Sequence, residues 1–357
     1  MFSVSNVIHI IIIFQGTLLT LYILFSNKKK LKSDSLLVTI MGTLSFQMLG
    51  LFLVSRNVAT ELFQSANCIY GFLYGPLLYL YNKSITRSDF RFRPIDFVHF
   101  LPATSILLGQ LITKGGICEP RIYIGYAVHV LIYIFFCFLE VHRYKKVVKD
   151  NYSRLEWLNL GWLQWTFLMF FLIVVVDVVQ FILFLSEIPS YPLEILVYLL
   201  ILVAINLLYF NGFTLSGKLR GFSKEDLAFS TSIASVKRIN MALEENQALI
   251  EKLEKHLDLT ESFKNPNLTI GLLAQELEIP KRTLSELIND HYHQHFVDFI
   301  NTYRINSARE RLMNPPDPNE TILEVLYEVG FNSKSSFNTA FKKKTGLTPS
   351  QFKDKYK

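Results

Sequence analysis

The sequence predicts an all-α protein: a seven-helix transmembrane bundle, a helical linker and a double helix-turn-helix domain. Seven long apolar runs occupy residues 1–212, the charged residues concentrate after about residue 215, and a pattern of helix, turn and helix occurs twice in residues 263–357. With 357 residues, 50% of them hydrophobic and only 18% charged, the chain is long enough for two domains and too apolar for an ordinary soluble protein.

The seven apolar runs are the basis of the transmembrane prediction. They lie at about 4–25, 35–55, 63–82, 95–113, 121–141, 160–186 and 191–211. Each is close to the roughly 20 residues that cross the hydrocarbon core of a bilayer. One such run would also suit a buried core helix, but seven in succession favour membrane spans. The first run lacks a signal-peptide cleavage pattern, so it is predicted to be a span.

Basic residues predict the orientation of the spans, because cytoplasmic loops carry the positive charge. They follow the first, third, fifth and seventh runs: Lys28, Lys29, Lys30 and Lys32; Lys83, Arg87, Arg91 and Arg93; Arg143, Lys145, Lys146, Lys149 and Arg154; Lys218 and Arg220. The alternate loops hold few. This pattern predicts a multi-pass protein of the cell inner (plasma) membrane, in contact with lipid, with its N-terminus outside and its C-terminus in the cytoplasm.

Polar residues within the runs are candidates for a signal site. Asp177 lies in the middle of the sixth run, where a charge costs at least about 2.5–3.5 kcal/mol. Gln180 shares its helix face, and His129 is a third candidate. Two interpretations of Asp177 stay open: a pocket that senses a ligand or a proton, and a structural network of hydrogen bonds. The structural role is favoured for the other polar residues, Gln47, His129, Glu140 and Asn206.

No metal, cofactor or catalytic site is predicted. The three cysteines lack the spacing of a zinc site, although Cys68 and Cys118 lie near the predicted outer side and would pair if an oxidising compartment brought them together. The histidines at 291, 293 and 295 lack further ligands that would complete a metal site. No Gly-rich phosphate loop, nucleophile elbow or metalloprotease motif occurs, so the sequence does not predict an enzyme.

Residues 213–262 are predicted to form a helical linker. Glycines 212, 217 and 221 loosen the chain after the last span, and apolar residues then recur at spacings of three and four as far as Leu257. Two arrangements fit this spacing: a short parallel coiled coil in which Asn240 sets the register, and a single helix packed on the domain that follows.

The second helix-turn-helix unit has the clearer local signals. Thr321 and Glu324 are predicted to form a capping box. Gly330 can adopt the positive φ that a sharp turn needs, and Ser333 is a good N-cap for the helix that follows. Phe337 begins the apolar face of that helix.

The same plan occurs about fifty residues earlier. Thr269 is predicted to cap a first helix, a turn follows at 278–280, and a second helix runs from about 281 to 289. Between the two units, apolar residues at helical spacing predict one connecting helix over about 296–312. Two units joined in this way can enter successive major-groove turns roughly 34 Å apart.

Residues from about 262 to 357 resemble the DNA-binding domain of AraC/XylS-type transcription regulators. The resemblance rests on Phe299-Ile300-Asn301-Thr302-Tyr303-Arg304, Ala308, Thr321-Ile322-Leu323-Glu324, Gly330-Phe331, Ser336-Phe337, Phe341-Lys342-Lys343 and Thr345 to Phe352. Two positions depart from the family pattern. Leu326 stands where Ala is usual, and Glu278 stands where Gly often makes the first turn, which costs about 1 kcal/mol if this residue is left-handed.

The resemblance also implies the residues that contact DNA. In the first recognition helix they are Lys281, Arg282, Ser285 and Glu286. In the second they are Asn332, Ser333, Lys334, Ser335 and Thr339. Lys342 and Lys343, with Lys344, are predicted phosphate contacts, which strengthen binding without reading sequence.

Together these features predict a bacterial, membrane-tethered, sequence-specific transcription regulator whose bundle senses a small-molecule or envelope signal. The resemblance implies activation, with double-stranded promoter DNA, RNA polymerase and a second copy of the chain (a homodimer) as partners. The alternative is a membrane transporter or membrane enzyme with an attached DNA-binding domain that feeds back on its expression. Seven spans do not divide into the inverted halves typical of transporters. A constitutive anchor without a ligand is a third interpretation.

Overall fold

The computed structural model describes residues 3–26, 32–58, 60–113, 120–154, 160–213, 221–235 and 243–356. Within these ranges the chain forms fifteen α-helices and no strand, apart from an isolated bridge between Tyr152 and Thr269. The predicted all-α fold class is therefore confirmed. The helices divide between two compact units, Met1–His142 with Leu160–Gly221, and Arg143–Asn159 with Phe222–Lys357.

The first unit contains the helices of the apolar half of the chain. They are α1 (Val4–Phe25), α2 (Lys32–Ser55), α3 (Thr60–Thr86), α4 (Leu101–Thr113), most of α5 (Pro120–Asn151), α6 (Gly161–Leu185) and α7 (Tyr191–Leu207). A 3₁₀ turn at Pro94–Phe100 precedes α4, and a π-helical turn at Leu208–Phe213 follows α7. The helix α1 packs on α2 and α7, α2 packs on α3, and α6 packs on α7.

Six helical segments among the described residues are long and apolar enough to cross a membrane. They correspond to six of the seven predicted spans. The third predicted span forms α3, which is not among them because tyrosine and amide side chains such as Tyr74, Tyr79 and Asn82 lower its hydropathy. Several long apolar helices therefore indicate membrane insertion, and the crossing by α3 stays a prediction.

Polar residues predicted to have structural roles join neighbouring helices of this unit. The buried Glu140 of α5 accepts two hydrogen bonds from the Arg87 guanidinium, at 2.6 and 2.9 Å. Asn206 of α7 accepts from the Gln15 amide of α1 at 2.7 Å. These charge-assisted and amide bonds satisfy polar groups within an apolar unit, where an unpaired group would be costly.

The second unit contains the remaining helices. They are α8 (Lys224–Ser235), α9 (Leu243–Thr260), α10 (Ile270–Glu276), α11 (Lys281–Tyr292), α12 (Phe296–Met313), α13 (Ile322–Glu328), α14 (Lys334–Thr345) and α15 (Pro349–Lys355). The end of α5, from Arg143 to Asn151, also belongs to this unit.

The long helix α12 is shared by two hydrophobic cores. Its first half contributes Phe296, Phe299 and Ile300 to a core with α9, α10 and α11. Its second half contributes Ile305, Ala308 and Leu312 to a core with α13, α14 and α15. The predicted connecting helix is thus the structural element that holds the two helix-turn-helix units together.

The helix α9 covers part of the first core. Ile250, Leu253 and Leu257, at spacings of three and four, are buried there among residues of α10 and α12. This burial accounts for the apolar spacing in the second half of the predicted linker. Earlier in the linker, Lys224–Ser235 form α8. Asn240 lies outside the described residues, as do Cys118 and the basic residues Lys28, Lys29, Lys30, Lys218 and Arg220.

Arg304 of α12 is the largest fully buried side chain among the described residues, with an exposed fraction of 1%. Its guanidinium donates to the Phe263 carbonyl at 2.7 Å and the Asn265 carbonyl at 2.8 Å, both just before α10. It also donates to the carbonyl and hydroxyl of Ser153, at 3.1 and 3.0 Å. One side chain therefore joins α12, the segment before α10 and the segment after α5.

Replacing this guanidinium should destabilise the second unit. In Arg304→Met the apolar stem is kept, but three carbonyl groups and a hydroxyl lose a charged donor, so we expect the free energy of unfolding to fall by about 3 kcal/mol or more. Pulse proteolysis of the full-length protein in increasing urea measures this change. The exposed Lys344→Met provides the control and should stay within about 0.5 kcal/mol of wild type. Equal stability of the two variants would contradict the role assigned to Arg304.

Candidate functional sites

The second helix-turn-helix unit consists of α13, a turn and α14, and its local chemistry follows the prediction. The Thr321 hydroxyl accepts from the Glu324 N–H at 3.2 Å, and the Glu324 carboxylate accepts from the Thr321 N–H at 2.7 Å. The Thr321 N–H, together with the Thr321 hydroxyl that donates to the same carboxylate at 2.8 Å, lowers the pKa of Glu324. The Ser333 hydroxyl accepts from the Ser336 N–H at 3.2 Å and caps α14.

The turn of this unit requires glycine for two reasons. Gly330 has a φ of 90°, in the left-handed region that L residues rarely adopt. A Cβ at this position would also lie 2.5 Å from the Lys264 carbonyl oxygen, which is too close for any side chain. The predicted turn glycine is confirmed, and the close approach is a second constraint that the sequence did not indicate.

The first unit consists of α10, a turn and α11. The Thr269 hydroxyl accepts from the Leu272 N–H at 3.1 Å and caps α10, as predicted. Glu278, which stands where Gly is often found, has a φ of 56° and is therefore left-handed. The strain expected for this departure is real, at about 1 kcal/mol. The second departure, Leu326, is fully buried in the second core.

The predicted DNA contacts of α14 are mostly at the surface. The exposed side chains are Lys334, Ser335, Thr339, Lys342, Lys343 and Lys344. The Lys343 amine lies 3.4 Å from the Asp298 carboxylate, and its side chain remains 78% exposed. An ion pair this exposed contributes little and would yield readily to a phosphate. This face of α14 therefore presents cationic and hydroxyl groups suited to DNA.

The predicted contacts of α11 have different environments. Ser285 is only 3% exposed, and the Asn289 amide donates to its hydroxyl at 3.4 Å. The Arg282 guanidinium donates to the Glu286 carboxylate one helical turn later, at 2.9 Å. In this structure Arg282 and Glu286 are partly exposed, whereas Ser285 faces the core.

Lys281, at the start of α11, is engaged by residues from two other helices. Its amine donates to the Asn151 side-chain carbonyl at 2.6 Å and lies 3.9 Å from the centre of the Phe229 ring. Burial lowers the pKa of Lys281, and the nearby Asp226 carboxylate opposes this shift. A side chain predicted to contact DNA is thus held by the last residue of α5 and by α8.

The segment at the end of α5 also contacts the residue that precedes the second recognition helix. With its side-chain oxygen facing Arg154, Asn332 accepts two hydrogen bonds from that guanidinium, at 2.9 and 2.6 Å. Residues 150–154 therefore contact a predicted DNA-binding residue at the start of each recognition helix. We call this segment the α5 extension. The sequence marked it only as a basic loop, because nothing in its local pattern indicates what it docks on.

Further hydrogen bonds fix the α5 extension in place. The buried Asp150 carboxylate accepts from the Ser230 hydroxyl and from His295 Nδ1, the latter at 2.9 Å. The Tyr152 hydroxyl donates to Asp226 at 2.7 Å, and the Ser153 N–H donates to the Leu268 carbonyl at 3.3 Å. His295 thus has a partner within the protein, and no cluster of three metal-ligating side chains occurs among the described residues.

The first unit contains a cavity of about 390 Å³. Its lining includes Asp177 and Gln180, two of the residues predicted for a signal site, together with Glu194 and the tyrosines 74, 123, 126 and 198. His129, the third predicted residue, does not line it. The His129 ring instead packs 5.1 Å from the Phe72 ring and 4.8 Å from the Tyr133 ring, measured between centroids.

Each carboxylate of the cavity receives a hydrogen bond from a tyrosine. The Tyr126 hydroxyl donates to Asp177, and the Tyr198 hydroxyl donates to Glu194 at 3.2 Å. The Tyr126 ring lies against Gly71 of α3, where a Cβ would collide with it. Tyr74, beside the Gly75-Pro76 pair of α3, was a possible pocket residue from the sequence, whereas Glu194 and the tyrosines 123, 126 and 198 were not predicted. The available signal for Glu194 was a carboxylate at the start of an apolar span.

Comparisons with known proteins concern the C-terminal part of the chain. Residues 273–355 match the family model of a helix-turn-helix domain. The matched residues include both turns and both recognition helices. The predicted resemblance of this segment is therefore confirmed. An uncharacterized HTH-type transcriptional regulator in the cgkA 5' region of Pseudoalteromonas carrageenovora is 44% identical over 50 residues, which are 14% of this chain and 27% of that protein.

The chain thus spans about a quarter of the curated relative that it matches. A solved structure of a protein of unknown function from Listeria innocua is 26% identical and covers 30% of this chain and 97% of that one. Its TM-score is 0.27, which is too low to support an argument.

Comparing two glycines with positive φ separates the cost of a left-handed backbone from the cost of the close approach at Gly330. Gly346 has a φ of 78°, and a Cβ there would have no neighbour within 4 Å. Gly346→Ala should therefore cost only the strain of a left-handed residue, about 1–2 kcal/mol. Gly330→Ala should cost about 1–3 kcal/mol more, because the new methyl group meets the Lys264 carbonyl. Pulse proteolysis of the two variants measures the difference, and equal losses would contradict the close approach.

Proposed function

We propose that this protein is a membrane-tethered transcription regulator that binds promoter DNA through its two helix-turn-helix units. The observation that carries this proposal is the second unit, where a capped recognition helix presents Lys334, Ser335 and Thr339 at the surface. Short hydroxyl and cationic groups on such a helix suit base edges and phosphates. The match of residues 273–355 to a helix-turn-helix domain supports it.

The remaining parts of the proposal concern where and with what the protein acts. The long apolar helices support a location in the cell inner membrane, and the basic residues after alternate spans favour an orientation with the DNA-binding unit in the cytoplasm. Two copies on direct repeats, with activation through RNA polymerase, follow from the family resemblance. This role requires no catalysis and no cofactor.

The helix α5 supports a coupling between a signal at the bundle and DNA binding. One uninterrupted helix, Pro120–Asn151, carries Tyr123 and Tyr126 of the cavity near its start and Asp150 and Asn151 of the α5 extension at its end. In this proposal a displacement at the start of the helix reaches its end. We propose that the docked α5 extension holds Lys281 and Asn332 away from DNA, and that a signal at the cavity shifts the population toward a released state.

Substitutions on the exposed face of α14 test DNA binding. In Lys334→Ala/Ser335→Ala, loss of a phosphate or base contact should weaken binding about tenfold or more. The matched control, Ser350→Ala/Lys355→Ala, changes the same residue types at exposed positions outside the recognition helices and should leave binding within about twofold. Genome-wide DNA occupancy of the full-length proteins, with transcript levels read in parallel, is the measurement. No enriched sites for wild type would overturn the proposed function.

Release of the α5 extension is tested by Asn151→Ala/Arg154→Ala. Removing the partners of Lys281 and Asn332 should strengthen operator binding by about two- to thirtyfold, since each of the two pairs is worth about 0.2–1 kcal/mol. Lys146→Ala, at an exposed position of α5 before the α5 extension, removes the same net charge and should bind as wild type or slightly more weakly. Titration of detergent-solubilised protein against an occupied promoter fragment gives the affinities. Unchanged or weaker binding by the double variant would show that the extension does not restrain the recognition helices.

A further inference from the structure

The cavity in the first unit is lined by acidic side chains and, among the described residues, by no basic ones. Among the residues that line it in the described part of the chain, Asp177 and Glu194 are acidic and none is Lys, Arg or His. The remaining polar groups are tyrosine hydroxyls and the amides of Gln47 and Gln180. Two carboxylates in an apolar environment, with hydroxyl partners alone, favour a positive charge beside them.

The carboxylates have capacity for further donors. An ionised carboxylate accepts at about four positions. The hydroxyls of Tyr126 and Tyr123 occupy two positions on Asp177, and the Tyr198 hydroxyl occupies one on Glu194. A primary ammonium group supplies three N–H donors and a full positive charge, so it complements what these acids lack.

The tyrosines add a second kind of attraction. The ring of Tyr123 stacks on Phe181 with centroids 4.1 Å apart, and meets the Tyr126 ring edge to face at 5.1 Å. Aromatic faces attract cations, and more strongly where water is excluded. The rest of the lining, such as Leu44, Phe170 and Val197, is aliphatic or aromatic and suits an apolar body.

The size of the cavity decides between an inorganic ion and an organic cation. At about 390 Å³, it lies within the range of pockets for small organic ligands. A divalent ion would need a close set of oxygen ligands, and no group of three metal-ligating side chains occurs among the described residues. The volume and the lining therefore favour an organic cation.

Several lining residues lie toward one end of their helices, while others, such as Phe170 and Ile201, lie near the middle. Gln47 and Leu51 lie in the second half of α2, Tyr123 within the first turn of α5, Asp177 in the last third of α6, and Glu194 near the start of α7. With alternating helix directions and the proposed orientation, these are the outer ends. The cavity thus extends from the middle of these helices toward their outer ends.

We infer that this cavity binds an organic ammonium ion with an apolar body, with Asp177 and Glu194 as its charge partners. The inference that this ligand is the signal rests on the proposed function. The inference that the cavity binds such a ligand does not depend on it. In this site the ligand contacts α5 through Tyr123 and Tyr126.

A series of indole compounds of similar size tests the charge preference. Tryptamine is a cation, tryptophol is neutral, and indole-3-propionate is an anion. We expect tryptamine to bind the full-length protein at least about tenfold more tightly than tryptophol, and indole-3-propionate to bind most weakly. Calorimetric titration in phosphatidylcholine nanodiscs, with empty nanodiscs subtracted, measures the three affinities without relying on any variant.

Variants then assign the charge partners. Asp177→Asn and Glu194→Gln should each weaken tryptamine binding about tenfold and leave tryptophol within about twofold. Glu187→Gln, an exposed acid after α6 that does not line the cavity, removes the same charge and should change neither. Equal binding of tryptamine and tryptophol, tightest binding of the anion, or no binding of any probe would overturn the inference.

Failure of the ligand class and failure of the proposed function give different results. If tryptamine binds as expected but neither promoter occupancy nor transcript levels respond, the site stands and the coupling falls. If no probe binds but Lys334→Ala/Ser335→Ala loses occupancy, the regulator stands and the ligand class is wrong.

Discussion

A buried guanidinium holds the DNA-binding unit together. Arg304 donates to carbonyl groups of the segment before α10 and to Ser153 after α5, from a position between the two halves of α12. Because a buried charge is costly unless its donors are satisfied, these segments must close around it in one arrangement. The two hydrophobic cores that share α12 then form on either side of a fixed point.

The features predicted from sequence are those that depend on nearby residues. Capping by Thr269, Thr321 and Ser333, and the positive φ of Gly330, involve positions within four residues of each other, so the pattern itself specifies them. The fold class followed in the same way from local hydrophobic spacing. The helix α3 was predicted correctly as a helix, although its tyrosines make it less apolar than the other spans.

What could not be predicted depends on contacts between distant residues. Lys281 meets Asn151 across 130 positions, and Arg304 meets Ser153 across 151. No periodicity in residues 143–154 reveals such partners. The burial of Ser285 and the grouping of Asp177 with Glu194 and four tyrosines likewise arise only when helices pack. The sequence singled out Asp177 because a carboxylate in an apolar run is conspicuous, whereas a tyrosine in the same place is not.

The α5 extension also bears on how such a protein could arise by gene fusion. The family match begins at residue 273, yet the unit that folds around Arg304 includes Ser153, which is encoded before the last two apolar helices. Recombination that exchanged only the C-terminal segment would leave Arg304 without two of its acceptors. The segment that matches the family is therefore shorter than the unit that folds around Arg304. A DNA-binding segment transferred without residues 150–154 would have to satisfy this buried guanidinium by other contacts.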